Sequence, residues 1–293
     1  FSPQWKGEIF DEIGDLINND TVLITLLDKN QKIFLRPINN KEFNILTDSN
    51  KYVITLNNII LKPKESKTYT IEIQYHPDQK SIKKNTNRIN VTQTIEDNHL
   101  RWEKYLEITK NKSLSKEEKL ILIKSICTLI NNWRSAAGAL KHDGLFPSYH
   151  YKWFQGFWSW DSWKHAVALV KIDKELAKNQ VRAMYDYQNT DGMIADCIFR
   201  DTTTERHNWR DTKPPLSSWA IWEIFKETSD TTFLKEMYPK LVKYHNWWYT
   251  FRDYDKDGLC EYGSTDGSLI AAKWESGMDN AIRFDACKIV RGS

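Results

Sequence analysis

Ser115-Lys-Glu-Glu-Lys-Leu-Ile-Leu-Ile-Lys-Ser-Ile-Cys-Thr-Leu-Ile-Asn-Asn-Trp133 is the stretch in which the helical period of this chain is plainest. Ser115 and Glu118 stand three residues apart, the spacing of a capping box, in which each side chain accepts from the other residue's backbone N–H. Leu122, Ile126, Leu129, Ile130 and Trp133 then recur at intervals of one, three and four, on one face of a helix. Upstream the runs are short and β-branched: Thr21-Val-Leu-Ile-Thr-Leu-Leu27, Lys32-Ile-Phe-Leu-Arg36, Tyr52-Val-Ile-Thr-Leu56, Thr68-Tyr-Thr-Ile-Glu-Ile-Gln74 and Ile89-Asn-Val-Thr-Gln-Thr-Ile95. The last three alternate, and clusters of Asn, Asp, Pro and Lys separate the runs, so all five are expected to be strands. Downstream, helices are expected over 161–171, 174–189, 215–228 and 230–252, the last with Leu234, Met237, Leu241, Tyr244 and Trp248 on its apolar face. The expected organisation is multi-domain, a β-sandwich portion over 1–97 and a portion of about six helices over 98–293.

Composition excludes several classes. The 42 basic and 39 acidic residues give a net charge of +3, and the Lys and Arg are scattered among acids rather than clustered as a nucleic-acid surface requires. No apolar run is long enough to span a membrane. The four cysteines, Cys127, Cys197, Cys260 and Cys287, lack metal-ligand spacing and read as buried free thiols. The chain opens at Phe1 without a signal peptide, and a periplasmic or secreted location is the expectation. The 13 Trp, 13 Tyr and 12 Phe are the unusual feature, because flat rings serve both a helical core and the C–H face of a sugar.

Three strings in the helical portion carry polar chemistry among those rings. In Gly156-Phe-Trp-Ser-Trp-Asp-Ser-Trp163, Trp158, Trp160 and Trp163 surround Asp161, offering a ring platform and a hydroxyl acceptor; Asp161 reads equally as the N-cap of the next helix. In Asn208-Trp-Arg-Asp-Thr-Lys-Pro-Pro215, Arg210 and Lys213 stand beside Trp209 and Asp211, able to grip hydroxyls or to hold a carboxylate ionised, or simply forming a solvated loop. In Lys273-Trp-Glu-Ser-Gly-Met-Asp-Asn280, Glu275 and Asp279 lie four apart with Gly277 between them and Trp274 and Asn280 alongside, which suits a sharp turn presenting an acid. Glycoside hydrolysis requires two carboxyl groups, one of them kept protonated. A fourth string, Asp253-Tyr-Asp-Lys-Asp-Gly-Leu-Cys-Glu261, places oxygens at positions 1, 3, 5 and 9 of an EF-hand Ca²⁺ loop, with Gly258 at position 6 and the Leu259 carbonyl at position 7. Ser264 stands where that loop carries its bidentate Glu, and a solvated Asp turn is the other reading.

Together these strings resemble glycoside hydrolase family 63, over residues 100–287. Trp274-Glu-Ser-Gly-Met-Asp-Asn-Ala-Ile-Arg-Phe-Asp285 is similar to the general-acid segment of that family, which implies Asp279 as proton donor. Phe157-Trp-Ser-Trp-Asp-Ser-Trp163 and Asp191-Gly-Met-Ile-Ala-Asp196 resemble segments lining the subsite for the cleaved sugar, which implies Trp158, Trp160, Asp161 and Asp196 in binding. The resemblance further implies part of an (α/α)6 barrel after the sandwich, α-glucosidase-like exo cleavage of an α-linked oligosaccharide with inversion, and Ca²⁺ in the Asp253–Glu261 loop. No Glu here matches the general base of the family, which comes from late in the barrel. The chain therefore reads as a segment whose partner is the remaining C-terminal half of that barrel, inactive alone. A trehalase-like hydrolase and a non-catalytic sugar-binding fragment are the alternative readings.

Overall fold

The computed structural model describes residues 4–8, 13–17, 21–25, 32–38, 40–48, 51–57, 59–76, 89–148, 154–203 and 205–287. The chain forms two compact units, 1–88 and 89–293. The first contains strands β1 (Gln4–Glu8), β2 (Ile13–Ile17), β3 (Thr21–Thr25), β4 (Lys32–Pro37), β5 (Phe43–Asp48), β6 (Lys51–Leu56) and β7 (Ile71–His76). They form two antiparallel sheets, in the orders β1-β6-β5 and β2-β3-β4-β7. Val22, Ile24 and Leu35 from one sheet and Phe43, Ile54 and Leu56 from the other meet in one buried cluster, the use that period-two alternation predicts for inward side chains. Arg36 and Glu72, directly paired across β4 and β7, form an ion pair at 2.5 Å in which Glu72 is buried.

The second unit holds helices α1 (Val91–Leu106), α2 (Lys116–Asn131), α3 (Ser159–Leu169), α4 (Lys174–Tyr185), α5 (Ser217–Thr228), α6 (Thr231–Phe251) and α7 (Leu269–Glu275). Two-residue strands β8 (Trp133–Arg134), β9 (Gly144–Leu145), β10 (Phe157–Trp158) and β11 (Cys197–Ile198) tie its loops together. The helix starts are chemically marked. Asn90, Asp173, Asp230 and Ser268 each accept a backbone N–H at the mouth of α1, α4, α6 and α7, and Ser115 with Glu118 closes the anticipated box on α2. Ile126 and Ile130 of α2, Trp163 of α3, Met184 and Tyr185 of α4, Ile221 and Ile224 of α5, and Met237, Tyr244 and Trp248 of α6 share one core. Among the described residues no helix is long and apolar enough to cross a membrane.

The structure corrects several expectations. Residues 91–95 open α1 instead of forming a strand, so the helical elements begin before residue 97. Asn90 accepts from the Gln93 N–H at 3.2 Å, and Trp102 and Tyr105 further along bind the helix to the core, which outweighs the β-branched Val91, Thr92, Thr94 and Ile95. Strands β1, β2 and β5 lack the long β-branched runs that marked the others. All four cysteines are free, but only Cys197 is buried and Cys287 is exposed. Asp161 lies in the first turn of α3 rather than at its N-cap, which is Trp158.

Candidate active site

The three aromatic-and-acid strings converge. β10 pairs with β11 in antiparallel register, Trp158 opposite Cys197, and the Ser159 N–H donates to the Asp196 carbonyl at 2.8 Å. The start of α3 is thereby fixed to the 196–213 loop. Helix α7 ends at Glu275, and the chain turns through Gly277, which is left-handed (φ +67°). A Cβ at Gly277 would lie 2.6–3.0 Å from three atoms of the Trp160 ring. Only a glycine lets that ring close on the turn. Asp279, two residues on, is exposed beyond this contact. Its charge helps to raise the pKa of both Asp161 and Asp196, so the three carboxyls share one neighbourhood.

Beneath this rim lies a dry polar network. Lys213, 4% exposed, sits 3.1 Å from Asp196 and 3.6 Å from Asp211 and also donates to the Trp274 carbonyl. The Asn208 amide donates to Asp196 at 2.8 Å and to Asp211 at 3.0 Å. Burial drives both carboxyls above the ordinary range, Asp211 the more so because Asp196 adds its charge, while Lys213 and Asn208 oppose the shift. Asp161 is raised as well, by burial against the opposing pull of Lys164. The pattern is one exposed acid, Asp279, beside buried acids inclined to hold protons.

The remaining expected residues divide. Trp158 is half-buried, edge-on to Phe154 and Phe199, and Trp160 carries the Lys164 ammonium 3.5 Å over its ring centroid. Arg210 lies over the Trp274 ring at 5.1 Å and pairs with Asp266 and Ser268, so its charge is already partnered. Trp209 packs against the core while its carbonyl accepts from Thr265, and Asn280 is exposed on the acid turn. Glu275 is a correction. It is 0% exposed, and its oxygens accept from the Arg252 guanidinium and from the Thr212 and Gly263 N–H groups at 3.1 and 2.8 Å. With its acceptors engaged away from solvent, it holds the fold rather than a sugar. Asn208 and Arg252 were missed. Arg252 had a visible signal, since it continues the buried stripe Met237, Leu241, Tyr244, Trp248 at a spacing of four, and a charge on an apolar stripe requires a buried partner.

The Asp-rich loop folds on itself at the end of α6. Asp253, Asp255 and Asp257 each bring a carboxylate oxygen within 4.8 Å of the others, whereas Glu261 stands outside that group and accepts from the Tyr254 N–H. Asp253 is 7% exposed, and its Oδ1 is buried without a hydrogen-bond partner. An orphaned buried oxygen among converging carboxylates fits a hard divalent cation, which takes oxygen ligands. Gly258 is left-handed at φ +90°, as the sharp turn of such a loop requires.

Residues 154–291 match the family model described as the mannosylglycerate hydrolase MGH1-like glycoside hydrolase domain. The chain is similar to the mannosylglycerate hydrolase of Thermus thermophilus, 27% identical over 183 residues covering 56% of this chain and 40% of that protein. It is also similar to mannosylglycerate hydrolase MGH2 of Selaginella moellendorffii, 24% identical over 146 residues (44% of this chain, 28% of that protein). A third relative, the mannosylglycerate hydrolase of Rubrobacter radiotolerans, is 22% identical over 152 residues (44% of this chain, 33% of that protein). The chain thus spans two-fifths or less of the length of these relatives. The likenesses support a glycoside hydrolase domain; none of these names specifies an α-glucosidase.

Proposed function

We propose that the chain carries the acid side of an inverting glycoside hydrolase, with Asp279 as the proton donor to the glycosidic oxygen. The observation that carries this reading is the Gly277 turn closed on Trp160, which presents exposed Asp279 beside Asp161 and Asp196. A protonated Asp279 donates to the departing oxygen as the C–O bond breaks. A carboxylate outside residues 1–293 activates water on the opposite face of the sugar, roughly 6.5–9.5 Å away so that the water fits. Trp160 supplies a ring face, Asp161 accepts sugar hydroxyls, and the Lys213 network keeps Asp196 in place below them. The helical unit is read as part of an (α/α)6 barrel.

The substrate proposed is a small α-linked glycoside, an α-mannoside of glycerate ahead of an α-glucoside, because the similar proteins reported above are mannosylglycerate hydrolases. The test uses the full-length protein. Hydrolysis of α-mannosylglycerate and of a panel of α-glucosides is followed by proton NMR, with the anomer released in the first minutes assigned. Release of the β-anomer is expected. Release of the α-anomer, or no hydrolysis across the panel, would overturn the reading.

We also propose that Asp253, Asp255, Asp257 and the Leu259 carbonyl hold Ca²⁺, whose charge would neutralise the cluster and stiffen the loop; Glu261, outside that group, is not among the ligands. The orphaned Asp253 oxygen supports this.

A further inference from the structure

Both ends of the Asp-rich loop converge on Glu275. At the entry, Arg252 immediately precedes Asp253 and directs its guanidinium to both Glu275 oxygens, Nη2 to Oε2 at 2.8 Å. At the exit, the Glu261 N–H donates to the Arg252 carbonyl at 2.6 Å, and the Gly263 N–H donates to Glu275 Oε1 at 2.8 Å. The second Glu275 oxygen also accepts from Thr212, adjacent to Asp211 and Lys213. Arg252 is 3% exposed and Glu275 0%. In so dry a setting neither charge can stand without the other, so the pair moves as a unit. Glu275 is also the last residue of α7, and the acid turn follows it without a break: Ser276 donates to the Lys273 carbonyl, Gly277 fits against Trp160, and Asp279 is four residues on.

We infer that Glu275 is a positioning residue through which cation occupancy of the 253–261 loop sets the acid turn at 276–281. The inference rests on the cation reading of that loop. The route is physical: a cation drawing Asp253 inward fixes Arg252, Arg252 fixes the Glu275 carboxylate, and that carboxylate fixes the end of α7. Coupling then runs through contiguous packed groups rather than through the whole fold. By reciprocity, a ligand that orders the turn must tighten cation binding by the same factor.

Hydrogen–deuterium exchange on the full-length protein, in EDTA and in excess CaCl₂, tests this without relying on turnover. In the wild type, calcium should slow exchange in 253–261 and also in 276–281, by about fivefold or more, the lower end of ordinary coupling between sites. In the double variant R252M/E275Q, calcium should slow the loop alone. E275Q by itself leaves Arg252 buried and unpaired, so the neutral double variant is the one to use, its folding checked by thermal unfolding. Slowing of the loop without the turn in the wild type would overturn the inference, as would an unchanged response of the turn in the double variant. No calcium effect on the loop even in the wild type would sink the cation reading and this inference together, leaving the glycosidase reading to its own assay.

Discussion

Replacing Gly277 with Ala should damage the protein in two separable ways. The residue sits at φ +67°, a region that costs an L-residue about 1–2 kcal/mol. The new methyl would also lie 2.6, 2.7 and 3.0 Å from three Trp160 ring atoms, whereas carbon atoms rest at about 3.5–4.0 Å. Ring or turn must therefore retreat by about 1 Å, and overpacking of this kind costs about 1–3 kcal/mol. The expected loss in urea unfolding, followed by Trp fluorescence, is about 2–5 kcal/mol. A displacement of this size at Asp279 should lower kcat by about 10²-fold. The two contributions separate on a Trp160→Ala background, where the ring is gone: there Gly277→Ala should cost only the backbone part, about 1–2 kcal/mol. If the substitution costs as much without the ring as with it, the contact does not shape the turn as argued.

Asp279→Asn should reduce turnover by at least about 10²-fold, the usual scale of general-acid effects, and a variant retaining a tenth of the wild-type rate would remove Asp279 from its role. Calcium at about a hundred times its Kd should raise unfolding stability by about 2.7 kcal/mol, and Asp253→Asn should abolish that gain. A calorimetric titration with no heat and no melting shift would refute the metal site. Asp196 and Asp211 have folded pKa values raised above the unfolded carboxylate range, so the folded state binds more protons than the unfolded one. Their contribution is fully present below about pH 4 and is lost as pH rises towards neutrality and beyond. Urea midpoints from pH 4 to 8 should therefore fall more steeply for the wild type than for an Asp211→Asn variant, and identical slopes would refute the assignment.

Helices α2 and α6 were the most legible because three independent signals agree there: a capping residue, a stripe at three-and-four spacing, and a polar break. α6 shows all three, and its buried face is the one its spacing predicts. The start of α1 misleads because Val91, Thr92, Thr94 and Ile95 favour a strand locally, while the side chains that decide the matter, Trp102 and Tyr105, lie about two and about three turns beyond that run. At the site, the acid turn and its tryptophans could be located from residue types alone. The partner of Glu275 could not, since 23 residues separate it from Arg252 and only the folded chain joins them. The same limit applies to Asp211, whose proton affinity depends on Asp196 fifteen residues upstream.

Asn208 has every side-chain hydrogen-bonding group but one lone pair committed. Its amide spans Asp196 and Asp211, and its side-chain oxygen takes the Arg210 N–H. An Asp in its place would set three acids around the single Lys213, and an apolar residue would strip two buried carboxylates of their shared donor. Substitutions at 196, 208, 211 and 213 are therefore expected to be tolerated jointly or not at all. Over evolutionary time the four positions should drift as one unit, so that across descendants of this chain their columns change together, while the exposed surface of α6 changes residue by residue.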